Sequence, residues 1–235
     1  AESWGKVVAI AGDAPGFIVN HVARPYYLEA FRVLADGVAD VAAIDAVMRT
    51  AGRFRMGPFE LTDLIGQDVN TATTRSVWER LDRPALLAPS ELQESLVAAG
   101  DLGRKTGRGV YDHAAEPPLP VLTTATTAIP GDEALGAAAI AFEAAAADAV
   151  GGEPSTDPRA AIAFGRILLA LITQARRAAA LGIGTPADID TALRFGVNYP
   201  LGPLAWAEAI GTERERALRT ALLSVPGHER FAETG

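Results

Sequence analysis

Residues 15–31 read PGFIVNHVARPYYLEAF, and the fold of the chain is decided there. Proline and glycine at 15 and 16 suit a helix entry, because the N–H that proline lacks would be orphaned at that position anyway. An apolar helix start follows that carries one neutral amide, Asn20. Pro25 comes about one and a half turns further in, where it removes the bond to the His21 carbonyl and bends the helix. The spacing places Phe17, Asn20, Arg24, Tyr27 and Phe31 on one helical face and Ile18, Val22, Glu29 and Val33 on another.

The rest of the chain keeps the helical period. Asp36-Gly37 is a stop, and Asp40 is an N-cap for a helix from Val41 to about Ala51. Gly57-Pro58 opens a helix that ends at Gly66. A polar helix over Gln67 to about Leu81 follows, with Val69, Val77 and Trp78 as its expected buried contacts. Pro89-Ser90 starts another, through Ala99. Gly100 to Gly109 reads as an ordered turn leading to a short extended piece, Val110-Tyr111, and the prolines of AAEPPLP stiffen a linker. Val121 to Val150 fits a short strand and an alanine-rich helix, with its packing left open. Before all this, VVAIA (Val7 to Ala11) has the pattern of a buried strand with no partner strand nearby, as though left over from another domain.

Composition agrees with helices. Of 235 residues 49% are hydrophobic and only 6% aromatic, an alanine-dominated mix that favours closely packed helices over a sheet sandwich. The 21 Lys and Arg against 29 Asp and Glu leave a net charge of −8 without a long basic run, which disfavours nucleic acid and anionic membrane surfaces as partners. There is no cysteine, hence no disulfide, thiol nucleophile or thiolate metal site. The apolar run from Ala160 to Ile172 contains Arg166 and is too short to span a bilayer, and no signal-peptide pattern is present, so the cytoplasm is the expected location.

The second half repeats the first. A shift of 145 positions, the separation of Gly37 and Gly182, also places Ile44-Asp45 on Ile189-Asp190, Gly57-Pro58 on Gly202-Pro203 and Ile65-Gly66 on Ile210-Gly211 without a gap. Thr185-Pro186 with Asp188 forms an N-terminal box where the first copy has Asp40. The expected organisation is a remnant strand segment (1–13), a first helical domain (14–113), a linker with a strand–helix unit (114–155) and a second helical domain (156–235). Opposite Asn20 stands Gly165, and no glycine-rich turn follows Gly211, so the second copy keeps the fold and drops the chemistry.

Three stretches in order, PGFIVN with RPYYLEA, MGPFELTDLIG (56–66) and GDLGRKTGRGVYD (100–112), make the chain resemble the C-terminal helical portion of 3-hydroxyacyl-CoA dehydrogenases. The resemblance implies an all-α fold: a tandem duplicated helical domain of the 6-phosphogluconate-dehydrogenase C-terminal type, with a short leftover strand at the N-terminus. It implies NAD as cofactor and a (S)-3-hydroxyacyl-CoA substrate oxidised to the 3-oxoacyl-CoA, in fatty acid β-oxidation or aromatic-acid degradation. By the same likeness Asn20 is the candidate catalytic residue, hydrogen-bonding the substrate across the interdomain cleft, and Lys105, just before Thr106-Gly107, reaches toward the NAD ribose. The family's catalytic histidine and glutamate belong to a nucleotide-binding domain. No GxGxxG occurs in these 235 residues, so the chain is expected to be part of a longer enzyme, inactive alone, with that domain as its partner. The second copy then acts as a built-in partner for the first, and a homo-oligomer is compatible with the pattern. Two alternatives stand beside this reading: a stand-alone helical dimerisation or binding module, and the helical half of another β-hydroxyacid dehydrogenase.

Read as residues, Asn20 has an ordinary alternative as a helix-contact amide, and Lys105 one as a solvated basic turn. His21 is assigned to structure, while His113 and His228 are expected to be solvated. Asp45 and Asp190 recur within the second turn of equivalent helices and are read as dipole-stabilised structural carboxylates. Glu60 and Asp63, three apart on a short helix, are read as capping and solvated rather than catalytic. No histidine or carboxylate cluster suggests a metal.

Overall fold

The computed structural model describes residues 4–5, 7–123 and 132–232. They form helices α1 (Val19–Val22), α2 (Arg24–Ala35), α3 (Val41–Thr50), α4 (Pro58–Ile65), α5 (Gln67–Arg80), α6 (Glu91–Ala99), α7 (Asp132–Asp148), α8 (Pro158–Ala180), α9 (Pro186–Gly196), α10 (Pro203–Ile210) and α11 (Thr212–Leu223). One antiparallel pair, β1 (Tyr111–Asp112) and β2 (Leu119–Pro120), is the sheet among the described residues, in register Tyr111 to Pro120. The protein is all-α.

The bend at Pro25 is present: α1 ends at Val22, Ala23 stands between, and Pro25 sits in the first turn of α2. A shift of 145 carries Pro25 onto Ala170, and there α8 runs unbroken from Pro158 to Ala180. The same shift carries α4 onto α10 and the start of α5 onto the start of α11. Helix starts follow their caps. Asp40 accepts from the Ala43 amide at 2.8 Å, Ser90 caps α6, and Thr185 accepts from the Asp188 amide at 3.1 Å.

α8 is the axis of the core. Every residue from Ala160 to Ile172 is buried, and α2, α3, α7, α9 and α10 pack around it. The apolar run that is too short for a bilayer is therefore a core helix, and no helix among the described residues is long and apolar enough to cross a membrane. Arg166, in the middle of that run, is 1% exposed and pairs with Glu29 of α2 at 2.8 Å; Glu29 also takes Arg230 at 2.6 Å and Arg32 at 3.3 Å. One carboxylate thus ties α2 to α8 and to the C-terminal segment. The alanine-rich helix α7 packs rather than frays: Leu135, Ala139, Phe142 and Ala146 are buried, and the Trp206 indole donates to the Ala146 carbonyl at 3.1 Å. The strand expected before it falls partly on residues 124–131, outside the described ones.

Two expectations fail. Val7 to Ala11 forms no strand, because no ladder partner lies beside it, and Val7, Val8 and Ile10 are exposed. Instead, the Ile10 amide donates to Asp188 Oδ1 at 2.9 Å and that of Gly12 to the Ile183 carbonyl at 2.8 Å, fastening the segment to the α8–α9 turn. In α5 Val77 is buried and Trp78 packs half-buried beside it, as expected, but Val69 is 50% exposed and the rest of the buried face is Gln67, Asn70, Thr71 and Thr74. A polar stripe can be buried there because Gln93 of α6 donates to Gln67 at 2.9 Å and to Asn70 at 3.1 Å.

Candidate functional site

The turn that presents Asn20 depends on Gly16. Its φ is +82°, and a Cβ there would come within 3.0 Å of Asn20 and of the His21 amide. Phe17 follows at φ +47°, sparsely populated for an aromatic residue, with its ring 61% exposed. Asn20 is exposed on α1. Its Oδ1 accepts from Arg24 Nη2 at 3.0 Å, one turn further on. Arg24 is 5% exposed; its Nη1 reaches Thr74 Oγ1 of α5 at 3.5 Å, and its guanidinium lies over the Tyr27 ring at 5.1 Å. Burial lowers its pKa, with Tyr27 and Tyr199 acting against that. Tyr199, from the second half of the chain, packs its ring 5.8 Å from that of Tyr26 and 4.9 Å from that of Phe54, and its buried hydroxyl finds no partner among the described residues. The arrangement offers a neutral hydrogen-bonding amide on a surface and a desolvated cation directly behind it. Leu64, Ile65 and Val69, at the end of α4 and the start of α5, are exposed apolar side chains at the neighbouring helix junction.

Lys105 lies in the short 3-10 turn Arg104–Thr106, and its ammonium meets Asp68 Oδ1 at 2.5 Å at the start of α5. The contact lowers the Asp68 pKa, the Lys105 hydrogen bond being the largest cause. Asp68 and Thr74 stand six positions apart on α5, about 9 Å of helix rise, so the two candidate residues are served by different turns of one helix.

The turn that holds Lys105 is built on Asp63, which is 1% exposed. Asp63 Oδ1 accepts from the Val110 amide at 2.9 Å and from Gln67 Nε2 at 2.7 Å, while Oδ2 accepts from the Tyr111 amide at 2.9 Å and meets His113 Nε2 at 2.9 Å. A Cβ on Gly109 would come within 2.1 Å of that carboxylate, so glycine is required for the approach. The expectation that Asp63 and His113 are solvated is thus corrected: each is held by the other, because a buried carboxylate takes every donor the turn can offer. Glu60 does cap, accepting from the Gly57 amide at 2.9 Å, and pairs with Arg49.

His228 is also not solvated. It is 8% exposed and stacks on Phe231, and burial lowers its pKa. His21 is fully buried; burial lowers its pKa, a backbone hydrogen bond to Pro15 opposes that and the Arg177 charge adds to it. The structural assignment of His21 agrees with that burial. Among the described residues no group of three or more His, Cys, Asp or Glu could hold a metal. Arg24, which bonds Asn20, and Tyr199, whose ring packs beside Tyr26, are residues that sequence reasoning did not single out as functional. For Arg24 a signal existed: a cation four residues after the amide, on the same helical face.

The sequence profile of the 3-hydroxyacyl-CoA dehydrogenase C-terminal domain matches residues 16–113 and 163–234. Among curated proteins, 3-hydroxyadipyl-CoA dehydrogenase of Escherichia coli (strain K12) is 36% identical over 283 residues, covering 97% of this chain and 60% of that protein. The 3-hydroxybutyryl-CoA dehydrogenase of Bradyrhizobium diazoefficiens is 42% identical over 116 residues, 49% of this chain and 39% of the relative. The crystal structure of 3-hydroxybutyryl-CoA dehydrogenase from Escherichia coli K12 superposes with a TM-score of 0.77 at 34% identity, covering 98% of this chain and 60% of that one. The chain therefore spans 60% or less of the length of these relatives.

Proposed function

Because the chain belongs to the 3-hydroxyacyl-CoA dehydrogenase family, through its C-terminal helical domain, we propose that it forms the helical wall of such an enzyme's substrate cleft. The reaction is oxidation of the 3-hydroxyl of an acyl-CoA thioester to a ketone, with NAD as the hydride acceptor bound mainly by another domain. Asn20 is the residue of this chain that hydrogen-bonds the reacting part of the substrate, and Lys105 offers one cation to the cofactor ribose. The two helical units are tandem copies, the second standing where a partner subunit would pack.

The dinucleotide has no cradle among the described residues. The one sheet is the two-residue pair β1–β2, and no strand leads through a glycine-rich loop into a helix. No step through NAD is therefore assigned to this chain. What its own residues do is bind and orient. Phe17, Leu64, Ile65 and Val69 leave apolar surface open to a partner domain or an acyl chain, and the Asn20 amide holds an oxygen without competing for its proton. The observation that carries the reading is the exposed amide of Asn20, standing on a glycine-dependent turn within the matched family domain.

Turnover of a 3-hydroxyacyl-CoA should be absent for the isolated 235-residue chain and present for the complete dehydrogenase that carries it, where Asn20→Ala lowers kcat about 100-fold, the scale of losing one oxygen-binding donor. Turnover by the isolated chain, or an unchanged kcat in the variant, overturns the assignment.

A further inference from the structure

A guanidinium has donors and no acceptor, so the atom of the Asn20 amide that lies 3.0 Å from Arg24 Nη2 has to be the oxygen. That fixes a choice which an amide left to solvent would make freely. With Oδ1 turned back toward Arg24, Nδ2 is the outward atom, and it makes no hydrogen bond to the described residues.

Arg24 is a costly residue for a merely structural contact. It is 5% exposed, its Nε has no partner, and among the described residues no carboxylate pairs with it. An apolar side chain would pack there without the desolvation of a charge. The second unit has made that substitution: 145 positions on, Leu169 stands where Arg24 stands and Gly165 where Asn20 stands. The amide and the cation are present together in one unit and absent together from the other.

Resting on the reading of Asn20 given above, we infer that Arg24 is a positioning residue that sets the polarity of the site: by holding Oδ1 it makes Asn20 a donor toward the ligand, so the amide supports the reacting oxygen as negative charge gathers on it and leaves the hydroxyl's proton to another acceptor. The cation behind the amide also polarises it, which strengthens donation from Nδ2 as charge builds on the bound oxygen.

The test uses the complete dehydrogenase with four variants, Asn20→Ala, Asn20→Asp, Arg24→Met and the double Asn20→Ala/Arg24→Met, each checked for folding by its circular dichroism melt. Asn20→Asp keeps the contact with Arg24 and presents only acceptors outward, so it is expected to lose kcat at least as far as Asn20→Ala, about 100-fold, with little change in melting temperature. Arg24→Met is expected to lower kcat at least about ten-fold with a smaller change in KM, and the double variant to fall no further than Asn20→Ala alone. Asn20→Asp with near-native kcat, or independent and additive effects of the two sites, overturns the inference. If Arg24→Met does not fold, Asn20→Asp decides alone. An unchanged kcat in Asn20→Ala would instead refute the role of Asn20 itself, a separate outcome.

Discussion

Asp45 and Asp190, 145 residues apart, make the same pair of bonds. Asp45 accepts from the amides of Phe59 and Glu60 at 2.9 and 3.1 Å, and Asp190 from those of Leu204 and Ala205 at 2.9 and 2.8 Å. Each carboxylate caps the helix after its own, α4 or α10, rather than stabilising the helix it sits on. A Cβ on Gly57 or Gly202 would approach these carboxylates to 2.2 or 2.1 Å, which is why both copies keep glycine there.

The two caps differ in one partner. Asp45 also accepts from the Tyr111 hydroxyl at 2.7 Å and is 1% exposed, whereas Asp190 is half-buried. Asp190→Ala should cost about 1–2 kcal/mol, the usual worth of a cap, and Asp45→Ala about 3–4 kcal/mol because a buried hydroxyl and two amides lose their acceptor. Urea unfolding of the chain measures both. Equal costs would show that the Tyr111 contact adds nothing.

Glu29 should govern acid stability. Burial alone would raise its pKa, but Arg166, Arg230 and Arg32 outweigh this and hold it at about 2, below the ordinary 4.5. A lowered folded pKa contributes stability above about pH 4.5 that is lost as pH falls toward 2. Glu29→Gln should cost about 3–5 kcal/mol at pH 7 by leaving buried arginines unneutralised, and should flatten that acid limb. An unfolding midpoint within 0.5 M urea of the parent, on the order of 1 kcal/mol, would rule out the network as a tie between the halves.

Glu143 of α7 works in the opposite sense. It is fully buried, Oε1 accepts from the Ser155 amide at 3.0 Å and Oε2 has no partner among the described residues; burial, the largest cause, pushes its pKa up to about 7. A raised folded pKa on an acid gives stability that is complete below about pH 4.5 and declines as pH rises to 7. Glu143→Gln should therefore be the more stable form at pH 8 and lack the decline between pH 5 and 7. Parallel melting curves for both proteins over that range would refute it.

Gly165 cannot be returned to asparagine without cost. A Cβ there would come within 2.9 Å of Leu218 Cδ2, so Gly165→Asn crowds the α8–α11 contact and should destabilise the chain by about 1–3 kcal/mol. A neutral variant in urea unfolding would mean that glycine is not needed for packing at that place.

The helix bounds could be read because their signals are local. Asp40, Gly57-Pro58, Ser90 and Thr185-Pro186 stand at the observed starts, and Pro25 stands at the observed bend. The shift of 145 that carries α4 onto α10 was visible for the same reason, since caps and turn glycines are each fixed within a few residues of chain. The carriers of the site were visible less completely. Asn20 stood out as the one amide in an apolar turn and Tyr27 shares a helical face with Arg24, whereas nothing near Arg24 in the sequence told that Thr74, from another helix, would reach it.

By itself, then, the sequence determined an all-helical chain, its caps, its repeat and its family, because each depends on short-range geometry or on a residue pattern. Only the tertiary structure decided which polar groups are buried and what they hold: Asp63 with His113, Glu29 with three arginines, and the polar stripe of α5. Apart from Arg32, those partners come from 23 to 201 positions away. The cost of burying a charge is settled by where such partners arrive in space, a quantity that no local pattern encodes.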